Sequence, residues 1–140
     1  MRMETPYEIQ QLESPAWEEI GGALTEYNTQ QAGDDNAKRL CFVVKDSDGE
    51  ILAGVIGVVY WDWLSLDLMW VREDLRGQGI GGRLLEQVEA EARQKGAHHV
   101  HLDTFSFQAP GFYRKHGYAV FGQLDEFPAG FQRFYMTKDL

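Results

Sequence analysis

An α/β fold built on one mixed, mostly antiparallel sheet of about seven strands flanked by helices is what this 140-residue sequence predicts. Three observations point to it. The β-rich runs Leu40 to Lys45 and Ile51 to Tyr60 flank the turn sequence Asp46-Ser47-Asp48-Gly49, which reads as a hairpin. Ile80, Leu84, Leu85, Val88 and Ala92 then form a helical stripe. Beyond it, short strand-like runs alternate with turn residues to the end of the chain. Taken in order the elements read β-α-β-β-β-α-β-α-β-β, and 140 residues suit one domain with its own core, spanning 1–140.

Each element has a local reason. Trp17, Ile20, Leu24 and Tyr27 recur at three- and four-residue steps after Ser14-Pro15, a cap followed by a proline at the first helical position, so 15–31 is expected to be an amphipathic helix. A reversal at Trp61-Asp62-Trp63 leads into a third strand, Leu64 to Val71. The helix starting near Ile80 ends on Arg93, Lys95 and Gly96, which supply cations for its negative pole and a left-handed stop. His98 to Thr104 reads as a strand, Pro110 to His116 as a short helix, and Tyr118 to Gln123 and Phe131 to Thr137 as two closing strands.

Composition narrows the function. Lys and Arg number 13 against 22 Asp and Glu, a net charge of -9 that repels polyanions, so nucleic acid is not expected as a partner. The longest apolar stretch, Ile51 to Leu66, is broken by Asp62 and Ser65, and the first ten residues lack a signal-peptide core, so neither a membrane segment nor export is expected. The single cysteine, Cys41, cannot form an internal disulfide and lies in an apolar run, which suggests a buried thiol in a reducing cytoplasm. His98, His99 and His101 do not have metal-ligand spacing along a strand, and no metal is expected.

The chemistry starts at Arg76-Gly77-Gln78-Gly79-Ile80-Gly81-Gly82, between the third strand and the strongest helix. Glycines let the backbone turn sharply and bring its N–H groups to an anion, and a helix N-terminus adds unpaired donors and a partial positive charge. Arg72, Arg76 and Arg83 add local cations. A nucleotide-hydrolase loop would need Gly-Lys-Ser/Thr where Gly81-Gly82-Arg83 stands, and a dinucleotide fingerprint would need an N-terminal βαβ unit; neither is present. A tight strand-to-helix connection is the plainer alternative for such a loop.

Two motifs together are specific. The segment Arg76 to Gly81 fits Arg/Gln-x-x-Gly-x-Gly/Ala, and Ala109-Pro110-Gly111-Phe112-Tyr113-Arg114-Lys115-His116-Gly117-Tyr118 places a tyrosine four residues after an alanine and a Gly-aromatic pair at the next strand. In this the chain resembles the GNAT superfamily of N-acetyltransferases. The resemblance implies the acyl-CoA N-acyltransferase fold with two splayed neighbouring strands, acetyl-CoA as acetyl donor and coenzyme A as product, and a primary amine, small or peptide-borne, as acceptor. It implies that the N–H groups of Gln78, Gly79, Ile80, Gly81 and Gly82 hold the pyrophosphate, with Arg76 and Gly77 in the same coenzyme-binding loop, and that Met69, Trp70 and Val71 hold the pantetheine arm and the thioester carbonyl. Tyr113 matches the family's general acid. The strand position where the family often carries an acidic base falls on Ser65; Asp67, two residues along on the same face, is the first candidate here, with Asp103 and His101 in reserve. Tyr60, His101 and Asp103 are expected near the acceptor. Ser106 stands where the family's second signature often begins with asparagine. Similar proteins are frequently homodimers. A coenzyme-binding sensor without catalysis is the competing reading, and it would need neither Tyr113 nor a base.

Overall fold

The computed structural model describes residues 6–140. Two compact units divide the chain, one running to Asp35 and the other from Asn36 to Leu140. The first contains helix α1, Trp17–Ala32, which starts two residues later than the proline suggests, with Ala16 at its N-cap and no side-chain cap. None of its residues is buried. The strand expected ahead of this helix does not form among residues 6–16, and residues 1–5 lie outside the described residues. Glu8, Gln10, Gln11 and Glu13 separate Tyr7, Ile9 and Leu12, which leaves little apolar surface to hold a strand in a sheet.

The second unit is a six-stranded sheet in the order β1-β2-β3-β4-β6-β5, one strand fewer than expected. The strands are β1, Lys38–Lys45; β2, Ile51–Tyr60; β3, Trp63–Val71; β4, His99–Phe105; β5, Ala119–Asp125; and β6, Gln132–Asp139. A 3-10 turn, Glu73–Leu75, and helix α2, Ile80–Gln94, join β3 to β4, and helix α3, Pro110–Lys115, joins β4 to β5. All strand pairs are antiparallel except β3 with β4. In the first hairpin, the Asp46 carboxylate accepts the N–H groups of Asp48 and Glu50 at 2.9 Å, and Gly49 supplies the left-handed residue at φ 83°. Strand alternation turns Leu40 inward and leaves Cys41 exposed, so the expectation of a buried thiol is corrected.

One face of the sheet is apolar. Leu84, Leu85, Val88 and Ala92 of α2 form one core with Ala53, Val55, Val59, Leu64, Leu66, Val100, Leu102 and Met136. Glu89 shares that helix face and is also buried; its two oxygens take the Tyr118 hydroxyl and the Lys138 ammonium, each at 2.8 Å. A buried carboxylate must be paired in this way, because an unpaired one costs several kcal/mol, roughly 3–5 when a partner is removed.

Candidate active site

The β3–β4 pairing covers only Trp63 to Ser65 against His99 to His101. Beyond it the two strands separate, and the main-chain groups of Leu66 to Val71 on that edge lose their β4 partners. A bulge accompanies the separation. Ile56 pairs with Leu68 and Gly57 with Leu66, which leaves Asp67 as the extra residue on β3. The close approach needs a glycine at 57, where a Cβ would stand 2.8 Å from the Ser65 carbonyl oxygen. A cleft of about 1000 Å³ opens between the parted strands.

One side of the cleft suits an anion. Gly77 and Gly79 turn the loop with φ of 80° and 83°, and α2 then starts with no side-chain cap and no acidic residue in its first turn. Its leading N–H groups therefore have no competing acceptor of their own. Gly81 and Gly82 serve packing: a Cβ on Gly81 would meet the Phe112 ring at 3.3 Å, and one on Gly82 would meet His116 Nε2 at 3.1 Å. His116 is held there through Nδ1, which bonds the Phe112 carbonyl at 2.9 Å. Sequence reading missed Phe112 and His116, although their i, i+4 spacing, from α3 to its C-cap, was visible. Arg76 ties the loop down, its Nε donating to the Val71 carbonyl at 2.9 Å. Arg72 is bound bidentately to Asp74 at 2.6 and 2.9 Å, so its charge is spent locally and does not add to the loop as expected. The cradle thus fits a phosphate-bearing ligand, by donors and shape rather than by a cluster of cations.

Of the predicted residues, Asp67, Met69, Trp70, Val71, Arg76, Gly77, Gly79, Ile80, Gly81, Gly82, Asp103 and Tyr113 all line this cleft. Gln78 does not line it, and Tyr60 and His101 lie apart from it, where His101 Nε2 and the Tyr60 hydroxyl are 3.4 Å from each other. Tyr113 is 7% exposed, wedged between Phe112 and Tyr118 with ring centroids 5.2 and 5.7 Å away. Burial, helped by the Asp103 charge, pushes its phenol up to about 12. Asp67 accepts the Ser65 hydroxyl at 2.6 Å. Asp103 is held by Arg133 through Nε at 3.0 Å and Nη2 at 2.8 Å. Ser106, at the position of the family's asparagine, pins the loop to β6: its N–H donates to the Gln132 carbonyl and its Oγ accepts the Gln132 N–H. Gln108 caps the end of β4 by accepting the Phe105 N–H at 2.8 Å. Among the described residues no three His, Cys, Asp or Glu side chains converge as metal ligands, and no helix is long and apolar enough to cross a membrane.

The raised phenol has a measurable consequence. Between pH 10 and 12 Tyr113 stays protonated in the folded protein but ionises in the unfolded chain, so its stability contribution is intact below pH 10 and is lost as pH rises through 12. Tyr118 shifts in the same direction, through burial and the Glu89 charge. Urea unfolding of the wild type and Tyr113→Phe at pH 9 and pH 11 isolates the Tyr113 share, because Tyr118 is common to both. The wild type is expected to lose about 1.4 kcal/mol more than the variant, the value of one pH unit.

The family is independently evident. The Acetyltransferase (GNAT) family profile matches residues 6–118. The chain is 40% identical over 93 residues to blasticidin-S acetyltransferase of Streptomyces morookaense, covering 66% of this chain and 68% of that protein. It is 31% identical over 111 residues to acetyltransferase Atu2258 of Agrobacterium fabrum, covering 79% and 81%. A crystal structure of an acetyltransferase from Bacillus cereus superposes with a TM-score of 0.84 at 34% identity, covering 94% of this chain and 98% of that one. With the parted strands, the uncapped glycine loop and the buried tyrosine in place, the chain belongs to the GNAT family of acetyl-CoA-dependent N-acetyltransferases.

Proposed function

We infer that the protein moves the acetyl group of acetyl-CoA to a primary amine by direct attack within a ternary complex in the cytoplasm. One observation carries the reading: the parted β3 and β4 place an uncapped helix N-terminus and a buried, protonated tyrosine on the same cleft. Bound acetyl-CoA would supply a thioester, an acyl group already activated toward amines. The loop Arg76–Gly82 would hold its diphosphate, and the open edge at Met69, Trp70 and Val71 would pair with its amide arm and turn an N–H toward the carbonyl oxygen. A preorganised donor there is worth several kcal/mol, on the order of 3.

Tyr113 would donate a hydrogen bond to the thioester sulfur of bound acetyl-CoA and supply the proton that the departing thiolate needs. A phenol held at about 12 is neutral throughout the working range, so it is always in the donor state. Its proton is restored from the attacking amine, which becomes acidic as it bonds to carbon. Asp67, on the bulge at the mouth of the parting strands, is the base that takes the amine's first proton, with the Ser65 hydroxyl fixing its carboxylate. Asp103 is less suited to that task because Arg133 already holds it. Relatives named for acetylating blasticidin-S and streptothricin support a small-molecule amine.

Thermal stabilisation by acetyl-CoA, measured beside thiol release over an amine panel, tests the reading. A rise in Tm with turnover on at least one amine is expected. A rise in Tm with no thiol release on any amine would replace the enzyme by a coenzyme sensor, and no rise would remove the coenzyme altogether.

A further inference from the structure

At the end of β4 and in the loops beside it stands a wall of aromatic rings to which neither the core nor the acetyl-transfer steps above assign a role. Phe105 lies between Phe107 and Phe127, 5.2 and 5.6 Å from them, with interplanar angles of 4° and 17°. Phe131 meets Phe107 nearly at right angles at 5.1 Å. Rings of this size ordinarily go inside a protein. Here Phe107, Phe127 and Phe131 keep 55%, 43% and 42% of their surface exposed. Phe105 and Phe107 line the cleft. The guanidinium of Arg133 stands 5.3 Å from Phe105 and from Phe127, which occupies that flank, and it neutralises Asp103. What remains open is the corner made by Phe107 and Phe131.

Register places Phe105, the ring from which this wall extends, relative to the charge. Ser65 pairs with His101, so Asp67 and Asp103 stand two residues along on the two lips of the opening, and Phe105 is about 7 Å farther along β4. Of the two carboxylates lining the cleft among the described residues, Asp103 is balanced by Arg133, whereas Asp67 has, among those residues, only the Ser65 hydroxyl. A flat apolar wall that begins at Phe107 and one carboxylate without a cationic partner among the described residues, both on the same cleft, complement a cation on a planar body. We propose that the acceptor is an amine carried on an arm from a flat unsaturated ring, the ring lying on Phe107 and Phe131 and the ammonium drawn to Asp67. This rests on the acetyl-transfer reading and specifies its acceptor.

The test pairs phenethylamine with 2-cyclohexylethylamine, which has the same arm and amine on a puckered ring. The wild type is expected to show a KM about 10-fold lower for the flat ring, the scale of one good aromatic contact. Phe107→Leu and Phe131→Leu should each erase that preference, while calorimetry finds coenzyme A affinity unchanged and saturation-transfer NMR, run with coenzyme A bound, shows the phenyl protons losing contact. Equal KM values in the wild type, or a preference that survives both variants, would overturn the proposal. Loss of coenzyme A affinity in Phe107→Leu would do so as well, by giving the wall to the coenzyme's own ring. Coenzyme A failing to bind the wild type would instead defeat the acetyl-transfer reading itself.

Discussion

Tyr113→Phe is expected to lower turnover by about 100-fold or more while leaving acetyl-CoA affinity within about 2-fold. The substitution removes one oxygen and little else. The ring is fixed by Phe112 and Tyr118, its centroid distances of 5.2 and 5.7 Å reflecting carbon packing that phenylalanine preserves. The hydroxyl is not a strut of the core, since no hydrogen bond ties it to another described residue. Melting temperature at pH 7 should therefore stay close to the wild type. The loss should appear in kcat, because a donor to the sulfur strengthens only as that atom gains charge, and an interaction made mainly in the transition state leaves substrate binding nearly untouched. Steady-state kinetics with a thiol reagent, beside calorimetry for coenzyme binding, separates the two. Undiminished kcat in the phenylalanine variant would take Tyr113 out of the mechanism and leave proton delivery to water.

Much of this site was legible because its signals are local. The glycine loop and α2 announce themselves within about 20 residues, and the first hairpin rests on a turn whose Asp46 and Gly49 do their work within five positions. The two cofactor-side motifs are likewise contiguous. What escaped is non-local. Arg133 meets Asp103 and Phe105 only because β6 runs antiparallel beside β4 with Phe105 opposite Arg133, and nothing within either segment encodes that register. The bulge that sets Asp67 at the parting of the strands likewise depends on Gly57 across the ladder. Arg72 was credited to the phosphate loop on charge alone, but Asp74, two residues away, claims it first. Cys41 shows the opposite limit: an apolar neighbourhood in sequence says little when strand alternation sends every second side chain outward.

Gly81→Val should weaken coenzyme A binding by at least about 100-fold and lower stability by about 1–3 kcal/mol. A first carbon at position 81 already stands 3.3 and 3.4 Å from the Phe112 ring and 3.8 Å from Val71, and valine adds two methyl groups beyond it. Phe112 has to yield, since the alternative is to move the first turn of α2. Either response damages the cradle: the helix N–H groups tilt away from the diphosphate, or α3 shifts and takes Tyr113, the next residue, with it. Both binding and turnover should fall, which distinguishes this variant from Tyr113→Phe, where kcat alone falls. Gly111→Ala is the matched control. It lies on α3 beside Phe112, its added carbon meets nothing within 4 Å, and it should bind coenzyme A as the wild type does. Calorimetric titration of the three proteins decides the matter, and wild-type affinity in a well-folded Gly81→Val protein would mean that the diphosphate is held somewhere other than the start of α2.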